Sequence, residues 1–150
     1  FGVRLDSGLP GQYTRFTTDE VSVRIGGQTP ANGLSPSPDG TKLAFWVTPL
    51  TGADLAVDTG AAMLHVLDVA TGAVTRYCDY STLAHTPNPP RLVWSPDSTH
   101  LAFADNIPDD PRGYLLIALN LADGVYIELS EGLYPALGTA SPIAWGLAAP

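Results

Sequence analysis

The sequence predicts an all-β fold made of consecutive four-stranded antiparallel units. Residues 37–45 recur as residues 95–103, with Ser98 in place of Gly40 as one of only two differences. Self-similarity at a spacing of roughly 50 residues is typical of repeated β units rather than one irregular core. The 14 prolines and 15 glycines in 150 residues suit a chain with many turns.

Each unit begins with a short strand and a tight turn. Residues 91–94 form the predicted first strand of the second unit, and Ser-Pro-Asp-Ser follows it, as Ser-Pro-Asp-Gly occurs at residues 37–40. Proline at the second turn position presets φ, and aspartate or glycine then completes a type I turn. The second strand is predicted over residues 42–47 and over residues 100–105.

A hairpin forms the second half of each unit. The third strand is predicted over residues 63–69 and 114–121, and it ends in Ala-Thr-Gly or Ala-Asp-Gly, which favours a hairpin turn. The fourth strand, over residues 74–78 and 125–129, alternates polar residues with apolar ones. The offset between the copies is 58 residues at the first turn and 52 at the third strand. The first copy therefore has the longer middle loop, within residues 48–62.

The inner strands are apolar on both faces. Residues 43–46 and 115–119 are uninterrupted apolar runs, whereas a strand with one face in water would alternate. A buried helix is the alternative for residues 115–121, but the short length and the absence of capping residues argue against it. Strands of this kind need cover on both sides, which face-to-face stacking of successive sheets supplies.

The two ends of the chain read as incomplete units. Residues 12–16 and 21–25 resemble the last two strands of a unit, and residues 142–145 resemble the first strand at residues 91–94. We therefore predict four segments: terminal strands of a partial unit (1–33), two complete units (34–90 and 91–140) and the first strand of a further unit (141–150).

The Ser-Pro-Asp-Gly turn, the Leu-Ala-Phe strand and the apolar strand that ends in Asp-x-x-Thr-Gly resemble TolB-type β-propeller repeats, which are related to WD repeats. The similarity covers residues 34–129 well and both ends weakly; the second copy departs from the pattern at Ser98 and Asn120. The resemblance implies that the units are propeller blades that present binding surfaces. It brings no catalytic residues with it.

Composition narrows the possible partners and location. The net charge of −8 and the single lysine, Lys42, give no basic patch for nucleic acid. No stretch approaches about 20 consecutive apolar residues, so membrane insertion is not expected. Few charges among many Thr, Ser, Ala and Gly residues favour an extracellular or cell-surface protein. Because the chain begins with phenylalanine, we expect that a leader or upstream sequence has been removed. Cys78 is the only cysteine, which excludes an intrachain disulfide, and we expect it to pack as a small apolar side chain in the fourth strand.

Three patterns could carry chemistry, and each has a simpler interpretation. Asp58-Thr59-Gly60-Ala61 resembles the catalytic loop of aspartic proteases, with Asp6 as a second carboxylate, but Asp58 falls in the middle loop of a blade, where a plain turn is expected. Residues 105–110 offer oxygen ligands for Ca²⁺ without a defined spacing. The three histidines, His65, His85 and His100, show no metal spacing, and His65, in the third strand, is expected to be a hydrogen-bonded structural residue. We predict no cofactor, no metal and no catalytic residues.

The function predicted is therefore non-catalytic: a secreted structural or interaction protein that binds copies of itself or another protein through its incomplete terminal blades, into a filament or a ring. The predicted assembly residues are Val21, Val23, Ile25, Ile143 and Trp145. The alternative is the propeller portion of a larger secreted hydrolase or peptidase, where it would gate access or bind substrate.

Overall fold

The computed structural model describes residues 2–3, 10–11, 22–25, 33–50, 61–83, 89–106, 111–133, 142 and 144–147. Every regular element in these residues is a β-strand, which confirms the predicted all-β class. No helix in this part of the chain could therefore cross a membrane. The strands are β1 (Gly2–Val3), β2 (Pro10–Gly11), β3 (Ser22–Ile25), β4 (Ser35–Pro36), β5 (Lys42–Leu50), β6 (Ala61–Asp68), β7 (Val74–Leu83), β8 (Val93–Trp94), β9 (His100–Asn106), β10 (Tyr114–Asn120) and β11 (Tyr126–Leu133).

The second predicted unit is a four-stranded antiparallel sheet. Its strands pair in the order β8-β9-β10-β11, so neighbours in the chain are neighbours in space. The first unit repeats this order as β4-β5-β6-β7. These two sheets, called the first and second blades below, confirm the prediction of consecutive propeller-type blades.

The strand β3 lies elsewhere than the sequence predicts. We expected residues 21–25 in a separate blade that precedes the first one, but β3 pairs with the far half of β5, from Val47 to Leu50. The reason is length: β5 has nine residues, and β4 pairs only with Leu43 and Ala44. The rest of that edge is open to another strand. β1 and β2 form a separate two-stranded pair.

The Ser-Pro-Asp turns of the two blades have the same hydrogen bonds. In the first, the Ser37 hydroxyl donates to Asp39 Oδ1 at 2.6 Å, and the backbone N–H of Thr41 donates to the same oxygen. In the second, Ser95 and Thr99 make the same two bonds to Asp97, again at 2.6 Å for the serine. The sequence repeat is thus a repeated Asx-type turn, in which the aspartate holds the chain reversal together.

The fourth position of each turn adopts a left-handed backbone. Gly40 has φ of 72°, and Ser98, at the equivalent position, has φ of 60°. A serine pays a steric cost there that glycine does not. Ser98 is buried, and its Oγ accepts a hydrogen bond from the Asp39 N–H of the first blade at 3.2 Å. This contact offsets part of the cost and joins the two turns.

The blades stack face to face with the same orientation. We call the face of a blade that carries Ala44 and Trp46, or their equivalents, its forward face. The opposite face, which carries Leu43 and Phe45 or their equivalents, is its rear face. The forward face of the first blade packs against the rear face of the second. One continuous core lies between them. Its buried members are Ala44, Trp46, Ala62, Leu64 and Val66 from the forward face, and Leu92, Trp94, Leu101, Phe103, Leu115, Ile117 and Leu119 from the rear face.

The outer strands are interrupted by bulges. Between Met63 and Leu64 of β6, the partner in β7 jumps from Ser81 to Tyr77, and β11 has two register shifts against β10. A bulge bends an edge strand and breaks the regular row of backbone groups that a further strand would need. The outer edges of both blades are therefore poor templates for continued strand pairing.

Candidate interaction surface

The contact between the two blades shows how a blade of this chain recognises the next one. The Trp46 indole Nε1–H donates to the Pro90 carbonyl at 2.8 Å, and the Trp94 Nε1–H donates to the Ser35 carbonyl at 2.9 Å. The Trp46 ring also packs edge-on against Phe103, with centroids 5.3 Å apart. Both tryptophans therefore fill the apolar seam and satisfy backbone carbonyls at its edge.

The outer strand of the first blade adds a second contact to the seam. Tyr77 of β7 donates its hydroxyl hydrogen to the Leu121 carbonyl at 3.0 Å, in the hairpin loop of the second blade. Its ring lies 3.7 Å from the point where a Cβ on Gly124 would stand. Burial raises the pKa of the Tyr77 phenol, so the hydroxyl stays protonated and able to donate. An outer-strand residue of one blade thus rests on the β10–β11 loop of the next.

The second blade presents an apolar row on its outer strand. Val125, Ile127 and Leu129 alternate along and beside β11, and each is about half exposed, at 49%, 51% and 51%. Backbone register places Ile127 opposite Ala118, so its side chain lies on the forward face of this blade. The first blade has Ala73, Thr75 and Tyr77 at the equivalent positions, 52 residues earlier. The first blade therefore folds without valine, isoleucine or leucine at these positions. We call the row of Val125, Ile127 and Leu129 in the second blade the candidate interaction surface.

Charged groups flank one side of the row. Arg112 Nη1 lies 2.9 Å from Glu128 Oε2 and 3.4 Å from Glu131 Oε2, and the three side chains are 40%, 50% and 63% exposed. The Gly132 N–H donates to the Arg112 carbonyl at 2.8 Å, which ties the β9–β10 loop to the end of β11. The ion pairs orient the loop, and exposed pairs of this kind contribute little to folding stability.

The predicted assembly residues are only partly described. Val21 and Ile143 lie outside the described residues, and Val23 and Ile25 are placed by backbone alone, opposite Pro49 and Val47. Trp145 is half buried, and its indole lies beside the His100 imidazole, with ring centroids 6.1 Å apart. The described residues around Trp145, 144–147, form no strand. The role of these five residues in assembly stays a prediction.

The candidates for chemistry are not drawn together by the described structure. Asp6, Asp58, His85 and the loop residues 107–110 lie outside the described residues, and Asp105 is buried at the end of β9. Within the described residues, no group of three or more His, Cys, Asp or Glu side chains is arranged to hold a metal. The aspartic-protease and calcium interpretations therefore stay untested, because most of their residues lie outside the described part of the chain.

His65 takes the structural role expected from the sequence. Its Nδ1–H donates to the Met63 carbonyl at 3.0 Å, and its ring stacks on Phe45 with 15° between the planes. Burial lowers the pKa of His65, which favours the neutral ring. The side chain thus forms part of the packed rear face of the first blade.

The turn aspartates are held ionised by hydrogen bonds. The bond from the Ser37 hydroxyl, followed by that from the Thr41 N–H, places the pKa of Asp39 far below its ordinary value. The equivalent bonds from Ser95 and Thr99 lower the pKa of Asp97 to about 2. Each carboxylate is already occupied as an acceptor by its own turn, so neither is placed to act as an acid at neutral pH.

The apolar row is a feature that our sequence reasoning missed. We described the fourth strand as alternating and attached no role to its apolar positions. The signal was nevertheless present, because Val125, Ile127 and Leu129 share one parity while Glu128 has the other. Cys78 also differs from expectation: it is exposed at the bulge of β7 rather than packed as a small apolar residue.

The comparisons with known proteins identify no family. No protein-family model matches the chain, and no curated protein matches it. Among solved structures, the chain is similar to the crystal structure of a protein assigned as a dipeptidyl aminopeptidase IV from Bacteroides ovatus. The identity is 17%, the TM-score is 0.47, and the match covers 74% of this chain. The chain spans 19% of the length of that structure.

Proposed function

We propose that this chain is a non-catalytic, secreted interaction module built from TolB-like propeller blades, and that it associates with copies of itself. The observation that carries the proposal is the half-exposed aliphatic row on β11. The equivalent strand of the first blade folds with alanine, threonine and tyrosine at these positions, so the row is not needed to build a blade. Exposed apolar side chains that form one contiguous patch, rather than standing singly, mark an interaction site.

Sedimentation velocity over a range of protein concentrations tests the proposal. The unmodified chain should show a weight-average sedimentation coefficient that rises with concentration. Ile127→Lys should reduce this rise, because it places a charge in the middle of the row. Thr75→Lys is the matched control, since it puts the same charge at the equivalent exposed position of the first blade. A single monomeric species at every concentration, or equal effects of both substitutions, would contradict the proposal.

The propeller portion of a larger hydrolase is the second candidate, and the number of blades favours it. Closed propellers contain about 4–8 blades, and the described residues hold two four-stranded blades. The further blades would then come from the same polypeptide rather than from copies. The intact mass of the natural protein separates the two: a mass near 15.7 kDa favours assembly, and a chain several times longer with a catalytic domain favours the hydrolase.

A further inference from the structure

The second blade carries a histidine where the first blade carries a lysine. His100 stands 58 residues after Lys42, and each begins the second strand of its blade. In the first blade, Lys42 Nζ lies 3.9 Å from Asp39 Oδ2 and donates to Thr41 Oγ1 at 3.3 Å. In the second blade, the His100 ring takes the same place, with Nδ1 2.7 Å from Thr99 Oγ1. A permanent cation in one blade is thus matched by a titratable ring in the other.

The hydrogen bonds of the turn determine which atom of the His100 ring donates. The Thr99 hydroxyl donates its single hydrogen to Asp97 Oδ1 at 2.7 Å, because an ionised carboxylate can only accept. The Thr99 oxygen therefore accepts from His100, so Nδ1 of the ring carries a hydrogen. The charged imidazolium always has a hydrogen on Nδ1, whereas the neutral ring has one there in only one of its two tautomers. The turn is therefore built to accept the charged ring.

The C-terminal segment meets His100 through Trp145. The two ring centroids are 6.1 Å apart, with 51° between the planes, which is at the outer limit of about 6 Å for a cation–π contact. Leu101 and Phe103 of β9 face the first blade, so His100 faces the opposite way. Trp145 is half buried there, whereas Leu147, two residues further on, is 85% exposed. Trp145 thus anchors this stretch to the second blade.

The charged groups around His100 are mostly acidic. Besides the carboxylate of its own turn, Asp123 of the β10–β11 loop lies near the ring, because Asn120, opposite the histidine across the sheet, has its Nδ2 3.4 Å from Asp123 Oδ2. The first blade brings Asp39 and Lys42 to the joined turns, where they pair with each other. β8 and the described residues of the C-terminal segment carry no charge. A positive charge on the ring is therefore met mainly by carboxylates.

We propose that His100 is a pH-sensitive latch for the C-terminal segment: protonation strengthens the contact between the second blade and Trp145, and loss of the proton weakens it. The charged ring adds a cation–π attraction to Trp145 that the neutral ring lacks. Histidine ordinarily changes its charge between about pH 5 and 8, so the contact gains strength in acid and loses it as the pH rises. The inference goes beyond the proposed self-association, because it concerns contacts within one chain.

Cleavage after Trp145 by chymotrypsin measures how firmly the segment is held. The rate is taken at about pH 5.5 and about pH 8, at a protein concentration where sedimentation shows a monomer, and mass spectrometry identifies the product of residues 1–145. Division by the rate for a free peptide of residues 141–150 removes the pH dependence of the protease. Where opening is fast relative to cleavage, the relative rate follows the population of the open form. It should be about two- to fivefold lower at the acid pH, the effect of one exposed cation–π contact.

Two substitutions separate the charge of His100 from its size. His100→Gln is neutral at both pH values and should show the faster relative rate at both. His100→Lys is charged at both and should show the slower relative rate at both. Lys42→His is the matched control, since it puts the same ring at the equivalent place of the first blade, and it should leave cleavage after Trp145 and its pH dependence unchanged. Circular dichroism and urea unfolding at both pH values check that each variant is folded.

Three outcomes would overturn the latch. One is a relative rate that does not change with pH in the unmodified chain, and another is the same change with pH in His100→Gln. The third is cleavage as fast as that of the free peptide at both pH values, because Trp145 would then not be held at all. None of these results depends on whether the chain associates with copies of itself, which sedimentation decides separately.

Discussion

Replacement of Ser98 by glycine and by alanine gives the most direct test of the joined turns. Ser98 has φ of 60°, and its Oγ accepts the Asp39 N–H bond at 3.2 Å. Ser98→Gly removes left-handed strain of about 1–2 kcal/mol, loses a hydrogen bond of about 0.5–1.5 kcal/mol and adds a glycine entropy cost of about 0.5–1 kcal/mol. These terms nearly cancel. We expect the free energy of unfolding to change by less than about 1 kcal/mol.

Ser98→Ala should be the less stable of the two variants. Alanine loses the same hydrogen bond but keeps the strain, so it should unfold about 1 kcal/mol more easily than the glycine variant. Urea unfolding would show this as a midpoint lower by about 0.5 M. Gly40→Ala is the control for strain alone, because a Cβ at Gly40 meets nothing within 4 Å. At a position with negative φ, an alanine variant is more stable than a glycine variant by about 0.4–1 kcal/mol. If Ser98→Ala proved more stable than Ser98→Gly, the reasoning would be refuted.

Three further predictions concern the turns, the seam and the C-terminal segment. Because hydrogen bonds lower the pKa of Asp97 to about 2, its contribution to stability is complete above about pH 4 and lost as the pH falls towards 2. At pH 6 the urea midpoint of Asp97→Asn should therefore be lower than that of the unmodified protein. Between about pH 4 and pH 2 the midpoint of the variant should change less, and an equal change in both proteins would contradict this. Trp46→Phe removes the Nε1–H bond to the Pro90 carbonyl and should lower the free energy of unfolding, measured with urea, by about 1–3 kcal/mol. A loss under about 0.5 kcal/mol would show that the bond is dispensable. Trp145→Ala, at a half-buried position, should weaken self-association in sedimentation more than it lowers the urea midpoint, and equal losses would count against a role of Trp145 in assembly.

The repeat made the blades predictable because each strand boundary carries its own local signal. Proline at Pro38 and Pro96 and the glycines at Gly72 and Gly124 mark the turns. The apolar runs between them leave little choice other than strands covered on both faces. Order within each sheet then follows, because short loops connect antiparallel neighbours. All of this information is local to one blade.

The parts that could not be predicted depend on distances along the chain. The pairing of β3 with β5 depends on how far β5 extends beyond β4, and an apolar pattern does not report where a strand ends. The bond from the Asp39 N–H to Ser98 joins residues 59 positions apart, so nothing near Ser98 in the sequence indicates it. The exposure of Ile127 likewise depends on what stands in front of the blade, which strand alternation does not encode.

The bulges of β7 and β11 determine the direction in which any polymer of this chain grows. Edge-to-edge fibres add strands along the hydrogen bonds and diffract X-rays at about 4.7–4.8 Å along the fibre axis. Here the irregular outer edges oppose that growth, so if the proposed association forms a polymer, its copies would add in the direction in which the sheets are layered. An aligned fibre of this protein should then lack the cross-β meridional reflection and show a spacing near 10 Å along its axis instead.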